Sequence, residues 1–142
     1  MNELSKLTDD DAERCVIGSV LIDARYLPAV REVLAPEDFA NALHRIAYRA
    51  MLALADRGAP ADDVFAVLWE MEALGGAEAH KPSLMAWSLM LPTACHARWY
   101  AERVRDLAER RRMLMEAQRL AGDAMDRSKP VQRAPRKGGV AL

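Results

Sequence analysis

Residues 41–58 read NALHRIAYRAMLALADRG, and their apolar side chains recur at the three- and four-residue spacing of an α-helix. The members of this stripe are Leu43, Ile46, Ala47, Ala50, Met51 and Leu54. Residues 41–57 are therefore predicted to form a helix with one buried face. Gly58 is predicted to end it, because glycine readily adopts the left-handed conformation that commonly follows the last helical turn.

Two shorter helices are predicted before this segment. Residues 11–22 carry an apolar stripe, and Thr8 or Asp9 is positioned to cap their first turn. Residues 25–34 have the same amphipathic period, with Pro28 in the first turn, where a missing N–H costs little. The chain ahead of residue 41 is thus predicted to be mainly helical.

Two further helices are predicted after Gly58. Asp62 is the expected N-cap of a helix that runs to about residue 72. A short helix that opens at residues 82–83 carries Trp87 and Leu91 on its apolar side. Both helices are short enough to pack within a small bundle.

The last predicted helix is much longer. Thr93 is its expected N-cap, and the helical period continues to about Met125, a span of roughly 45–50 Å. A small helical body does not need this length, so part of the helix is expected to project or to pack on another molecule. Residues 127–142 combine prolines, glycines and basic side chains, which favours a flexible tail.

These patterns predict an all-α fold. No alternating apolar and polar run indicates a strand, and no internal repeat is present. Residues 1–10 are assigned to an N-terminal arm, residues 11–126 to one helical domain and residues 127–142 to the basic tail. A chain of 142 residues can bury a core without disulfides or metal ions.

Charge is unevenly distributed along a nearly neutral chain. Residues 1–97 carry 8 basic and 15 acidic side chains, a balance of −7, whereas residues 98–142 carry 12 and 6, a balance of +6. The basic third favours contact with phosphates, an acidic partner or the acidic body of a second copy, and a solvated helix face is the alternative. No apolar run approaches the ~20 residues of a membrane span, and the two cysteines are expected to be reduced thiols in the cytoplasm.

No motif for catalysis, cofactor binding or metal binding is present. The chain has no Walker-type phosphate loop, no dinucleotide-binding glycine turn and no nucleophile elbow. Candidate metal ligands exist, but no C-x-x-C or H-x-x-x-H pair provides the spacing of a structural zinc site; these candidates are Cys15, His44, His80, Cys95 and His96. We therefore expect neither an enzyme nor a cofactor site.

Four stretches of the sequence form an ordered set of motifs. The first lies ahead of the helix predicted at residues 41–57, and the second begins ahead of that helix and continues into it. Residues 12–23 read AERCVIGSVLID, and Gly18 would let another helix approach closely. Residues 36–39 read PEDF and are followed by HRI at 44–46. Taken alone, each motif can also be explained by ordinary helix packing.

The other two stretches complete the set. Residues 58–62 read GAPAD, which joins a C-cap glycine, a stiff turn and an N-cap aspartate. The last stretch begins with LPTA at 91–94, continues through YA at 100–101 and VR at 104–105, and ends with RRR at 110–112. Together the four cover about residues 10–120 and resemble the N-terminal domain of bacterial replicative helicases of the DnaB family, although residues 77–88 fit poorly.

The resemblance implies a small helical bundle followed by a C-terminal helical hairpin. In that family the hairpins pair between subunits, and the domains form a trimer-of-dimers collar on a hexameric ring. The collar receives primase and, in some systems, a helicase loader, while ATP hydrolysis belongs to a separate RecA-like domain that we do not expect here. The implied partners are therefore a second copy, primase, and a helicase or loader.

The resemblance also assigns residues to the hairpin and its seam. These are Trp87, Leu91, Trp99, Tyr100, Val104 and Leu107. Large aromatics at such a seam are expected hot spots, and packing within one chain is the alternative. Trp99 and Tyr100 point about 100° apart on a helix, which favours an interface for one of them.

Four arginines are candidates for contact with DNA phosphates or with an acidic partner: Arg103, Arg110, Arg111 and Arg112. The alternative is a solvated turn whose arginine stems cover apolar neighbours. Three functions follow from these patterns: an assembly and docking module for replication, a small nucleic-acid-binding protein that uses the basic third, and a regulator that acts in trans on a full-length helicase.

Overall fold

The computed structural model describes residues 3–76 and 81–136, and every regular element in these ranges is helical. The six α-helices are α1 (Asp10–Ile22), α2 (Leu27–Val33), α3 (Ala42–Asp56), α4 (Val64–Ala73), α5 (Lys81–Leu89) and α6 (Ala97–Met125). Single 3₁₀ turns occupy Glu3–Leu7, Ala24–Tyr26 and Pro36–Asp38. The all-α prediction is confirmed, and none of the helices in the described ranges has the length and apolarity that a membrane crossing needs.

The predicted ends of the first and third helices are confirmed by their caps. The side chain of Asp9 accepts a hydrogen bond from the N–H of Ala12, and that of Asn41 accepts from Leu43. Gly58 follows α3 with a φ of 72°, the left-handed conformation for which glycine is suited. Local sequence therefore determines where these two helices lie.

The predicted cap of α4 was wrong by one residue. The Asp63 carboxylate accepts from the N–H groups of Phe65 and Ala66, which makes Asp63 the N-cap. Asp62 instead accepts from the N–H of Ala24, 3.2 Å away, and joins the start of α4 to the end of α1. Two adjacent aspartates compete for one cap, and a contact between distant segments decides between them.

The long helix begins three residues later than predicted, with His96 in place of Thr93 at its N-cap position. Thr93 does not cap α6, because its hydroxyl accepts from the N–H of Cys95 within a turn that precedes the helix. Since α5 ends at Leu89, Leu91 lies in the connecting loop and not on α5 as predicted. Cys95 also lies in this loop, two residues ahead of α6.

Helix α1 lies at the centre of the bundle and contacts α3, α5 and α6. Gly18 permits the contact with α5: a Cβ atom added there would lie 2.2 Å from the carbonyl oxygen of Trp87. The predicted role of this glycine is confirmed. Helices α5 and α6, predicted as the hairpin, are consecutive in the chain, but each packs mainly against α1.

A buried polar network joins α1 to the start of α3. The carboxylate of Glu13, 1% exposed, accepts hydrogen bonds from the N–H groups of Ala40 and Asn41 at 2.9 and 3.2 Å. Its Oε1 also lies 2.9 Å from Nδ1 of His44, and the His44 ring packs edge-on against Trp87 with centroids 5.0 Å apart. One carboxylate thereby fixes the position of α3 relative to α1.

Candidate functional site

The six residues predicted for a subunit seam do not form one surface. Trp87 and Val104 are buried within this chain, with exposures of 7% and 2%. Both pack in the core around α1, so neither is available to a partner. For these two residues the structure favours packing within one chain.

The other four predicted residues differ in their exposure. Leu91, Tyr100 and Leu107 are partly buried, and Trp99 is 66% exposed. The Trp99 and Tyr100 rings make an edge-to-face pair with centroids 5.4 Å apart, and Tyr100 packs against the core. Trp99 is therefore the one large aromatic of the predicted set that α6 presents to solvent.

Two of the four predicted arginines make exposed ion pairs. Arg103 Nε lies 2.7 Å from the Asp9 carboxylate, and Arg110 Nε lies 2.9 Å from that of Asp106. The pKa of Asp9 is lowered by the hydrogen bond from the N–H of Ala12 and by the one from Arg103. Each cation already faces a carboxylate of its own chain.

The other two arginines fasten the middle of α6 to the body. Arg111 donates to the carbonyl oxygens of Leu7 and Asp38, both at 2.8 Å. Arg112 pairs with the buried Asp38 carboxylate, and this hydrogen bond raises the pKa of Arg112. These contacts are structural, and they reduce the free positive charge that the RRR motif offers.

Carboxylates also accompany other arginines of the basic third in the described residues. Arg98 pairs with Glu32 and Glu102. Arg105 pairs with Glu109, and Arg119 pairs with Glu116 and Asp123. Residues 98–125 carry 7 basic and 5 acidic side chains, a balance of +2, so α6 has no continuous basic stripe. The rest of the positive balance, +4, comes from residues 126–142, which carry 5 basic and 1 acidic side chains.

The second half of α6 carries an uncovered apolar surface, which we call the distal face. Its members recur at helical spacing over a sector about 140° wide, given about 100° per residue. Met113 is 71% exposed, Leu120 53% and Met125 82%. The distal face consists of Met113, Leu114, Ala117, Leu120, Ala121, Ala124 and Met125.

Comparison with known proteins identifies the fold. The family model of the DnaB-like helicase N-terminal domain matches residues 5–106. The chain belongs to the DnaB-like helicase N-terminal domain family. The match ends within α6, so the distal face lies beyond it. The resemblance found in the four sequence motifs is confirmed.

Individual relatives agree with this assignment. The replicative DNA helicase DnaB of Geobacillus stearothermophilus is 34% identical over 122 residues, 82% of this chain and 26% of that protein. The replicative DNA helicase DnaC of Bacillus subtilis is 32% identical over 127 residues, 86% of this chain and 27% of that protein. The chain thus spans about a quarter of the length of the curated relatives it matches.

Solved DnaB N-terminal domains share the fold. The domain from Mycobacterium tuberculosis superposes with a TM-score of 0.81 at 30% identity, covering 87% of this chain and 89% of that one. The Helicobacter pylori domain, whose structure was described with its interactions with primase, gives a TM-score of 0.71 at 20% identity, covering 87% and 98%. The arrangement of α1–α6 is therefore that of a DnaB N-terminal domain.

Sequence reasoning missed an exposed apolar surface on the DnaB-like domain. Phe65 and Trp69 on α4 form a ring pair with centroids 6.1 Å apart, and Lys81 Nζ lies 4.4 Å from the Phe65 ring centroid. Met85 and Leu89 follow Lys81 along α5 at spacings of four and are exposed. We call these five residues the aromatic patch. The sequence did contain a signal for this patch. Apolar residues occur on two sides of α4, and packing against the core accounts for only one of them.

Among the residues that the structure describes, one group of side chains could hold a metal ion. Ligand atoms of Asp10, Glu13 and His44 lie within 4.8 Å of one another. The Glu13 oxygens, however, already accept from two backbone N–H groups and face His44. This cluster is a hydrogen-bond network. Cys95 and His96 are exposed, and His80 lies outside the described residues.

Proposed function

We propose that this chain is a non-catalytic assembly module of the replicative-helicase type, which self-associates through the distal face of α6. The supporting observation is that several large apolar side chains of this face are uncovered beyond the point where Arg111 and Arg112 hold α6 to the body. An amphipathic helix stabilises its apolar stripe by packing it on another element. A stripe of this kind on a projecting helix is typical of an interface.

A second copy of the chain is the occupant that fits best. Arg119 pairs with Glu116 and Asp123 on the polar side of the same helix, so this part of α6 carries little unpaired charge. Two identical helices can then approach without strong repulsion. A two-fold contact also places the same apolar residues opposite one another, as an isologous interface requires.

Light scattering coupled to size exclusion tests this proposal. We expect the wild-type chain to be a dimer or a larger assembly whose mass rises with concentration, and Leu120→Asp to be monomeric, because the buried seam would have to accommodate a charge. The matched control is Gly122→Asp, which adds the same charge about 60° beyond the edge of the distal face and should keep the wild-type mass.

Two results would contradict the proposal. A Leu120→Asp chain with wild-type mass would show that the distal face is not the seam. A wild-type chain that is monomeric at every concentration would favour a regulator in trans, which supplies its α6 to a full-length helicase. Binding to such a helicase, abolished by Leu120→Asp, would then distinguish that function.

We further propose that the aromatic patch docks primase. The structural neighbour from Helicobacter pylori was described with its interactions with primase, which supports a partner of this kind. Trp69 is 66% exposed and Leu89 81% exposed, and exposed tryptophans are frequent hot spots of protein interfaces. A helicase or a loader protein is the alternative partner for this patch.

Two tryptophans of equal exposure provide a matched test of docking. Trp69→Ser should weaken binding to the primase encoded in the same genome by about thirtyfold, the effect of losing an interface hot spot of about 2 kcal/mol. Trp99→Ser removes a tryptophan that is likewise 66% exposed but lies on α6, and it should leave the affinity unchanged. Equal losses in both variants, or a loss only for Trp99→Ser, would contradict the assignment, as would a primase that does not bind.

Nucleic-acid binding by the basic third is the weaker alternative. Arg103, Arg110 and Arg112 are paired with carboxylates, which reduces their attraction for phosphates. The remaining candidates for phosphate contact are exposed arginines that follow α6, namely Arg127, Arg133 and Arg136. Such binding would fall steeply with salt because each contacted phosphate releases counterions.

A further inference from the structure

A pocket of about 300 Å³ lies where the Glu3–Leu7 turn, the Pro36–Asp38 turn, the start of α3 and the middle of α6 meet. Its walls include two guanidinium groups, Arg45 from α3 and Arg111 from α6. Apolar side chains complete much of the lining, among them Leu4, Phe39 and Met115. The pocket therefore combines positive charge with apolar surface, and we call it the arginine pocket.

Arg45 has a hydrogen-bond donor without an acceptor. Its Nη2 donates to the carbonyl oxygen of Phe39 at 3.0 Å, but its Nε is buried and is the one side-chain polar atom in the described residues found buried without a partner. Leaving a charged donor unpaired away from water is unfavourable. Arg45 also lines the pocket, so an acceptor that entered it would lie beside this guanidinium.

Arg111 adds a second cation that is poorly solvated. It is held by the carbonyl oxygens of Leu7 and Asp38, and burial lowers the pKa of Arg111. Neutral carbonyl groups satisfy its hydrogen bonds, and the carboxylates of Glu13 and Asp38 act on its charge only through space. An anion seated between Arg111 and Arg45 would compensate both cations at once.

We propose that the arginine pocket binds a carboxylate of a partner peptide, presented beside an apolar side chain. The charges around it favour a single carboxylate over a nucleic-acid backbone: Glu37 lines the pocket, and Asp38 is paired with Arg112. A phosphate backbone binds best along a broad basic surface, which this region lacks. The site is separate from the distal face and the aromatic patch, so it does not depend on the proposed function.

Nuclear magnetic resonance of the arginine side chains tests the proposal on the full chain. The probe is the dipeptide acetyl-Glu-Leu-amide, with acetyl-Gln-Leu-amide as the uncharged control at the same ionic strength. We expect a saturable shift of the Arg45 Nε–H resonance with the glutamate peptide and none with the glutamine peptide. The absence of a saturable shift would overturn the proposal.

Two variants and one further probe sharpen the result. Arg45→Lys keeps the charge but loses the Nε donor, and it should weaken peptide binding at least tenfold, read from the resonances of Arg111. Arg49→Lys, an exposed site on the same helix, should bind as the wild type does. Equal affinity of both variants would overturn the assignment of Arg45. Saturation by inorganic phosphate but not by the glutamate peptide would overturn the assignment of a carboxylate as the ligand and would identify a phosphate site.

Discussion

Replacing Glu13 with alanine is expected to lower the free energy of unfolding by about 3–5 kcal/mol, since each stranded buried donor costs about 1–3 kcal/mol. The Glu13 carboxylate accepts from the N–H groups of Ala40 and Asn41 and faces His44 Nδ1. Alanine would leave the buried His44 ring and two partly buried N–H groups without this acceptor. The loss is a large part of the roughly 5–15 kcal/mol by which such domains are stable.

Urea unfolding followed by far-ultraviolet circular dichroism measures this loss. Glu32→Ala is the matched control, because Glu32 is an exposed partner of Arg98 and surface pairs contribute little. Glu13→Gln should fall between the two, since an amide retains one oxygen acceptor. Equal midpoints for Glu13→Ala and Glu32→Ala would show that the buried network does not hold α3 in place.

Replacing Gly18 with alanine is expected to cost about 3 kcal/mol or more, the upper end of the range for overpacked cores. The added methyl group would lie 2.2 Å from the carbonyl oxygen of Trp87. That oxygen belongs to backbone within α5, so it cannot move without displacing the helix. The contact between α1 and α5 must then open.

Gly122→Ala provides the matched control for this prediction. No heavy atom lies within 4 Å of a Cβ atom added at Gly122, which is within α6. Alanine should there stabilise the chain by about 0.5–1 kcal/mol, because glycine is unfavourable within a helix. Thermal unfolding of the two variants should shift in opposite directions. A Gly18→Ala chain that melts with the wild type would refute the close helix contact.

The helices of this domain were predictable because their signals are local. Asp9, Asn41 and Gly58 fix helix ends through neighbours a few residues away, and the sequence contains those neighbours. Glu13 was different. It looks like an ordinary acidic residue of a first helical turn, and only a contact with residues 40 and 41 makes it a buried acceptor.

The candidate sites were harder to predict because helical period does not indicate which apolar side faces the core. Trp87 and Val104 were assigned to a seam, yet they are buried in the bundle. Phe65 and Trp69 on α4 are exposed instead. The RRR motif likewise gave no sign that Arg111 and Arg112 are engaged by Leu7 and Asp38, which lie about a hundred and about seventy residues away in sequence.

The length of α6 beyond the body would also determine the distance between two paired domains. Beyond Met115, which still lines the arginine pocket, ten residues of helix extend about 15 Å from the body. Two copies paired antiparallel over these ends would hold their bodies apart by a gap of that order. A helix with its side chains is about 10–12 Å across, so such a gap admits one further helix. The length of α6 would thus act as a spacer that decides what can enter between two paired domains.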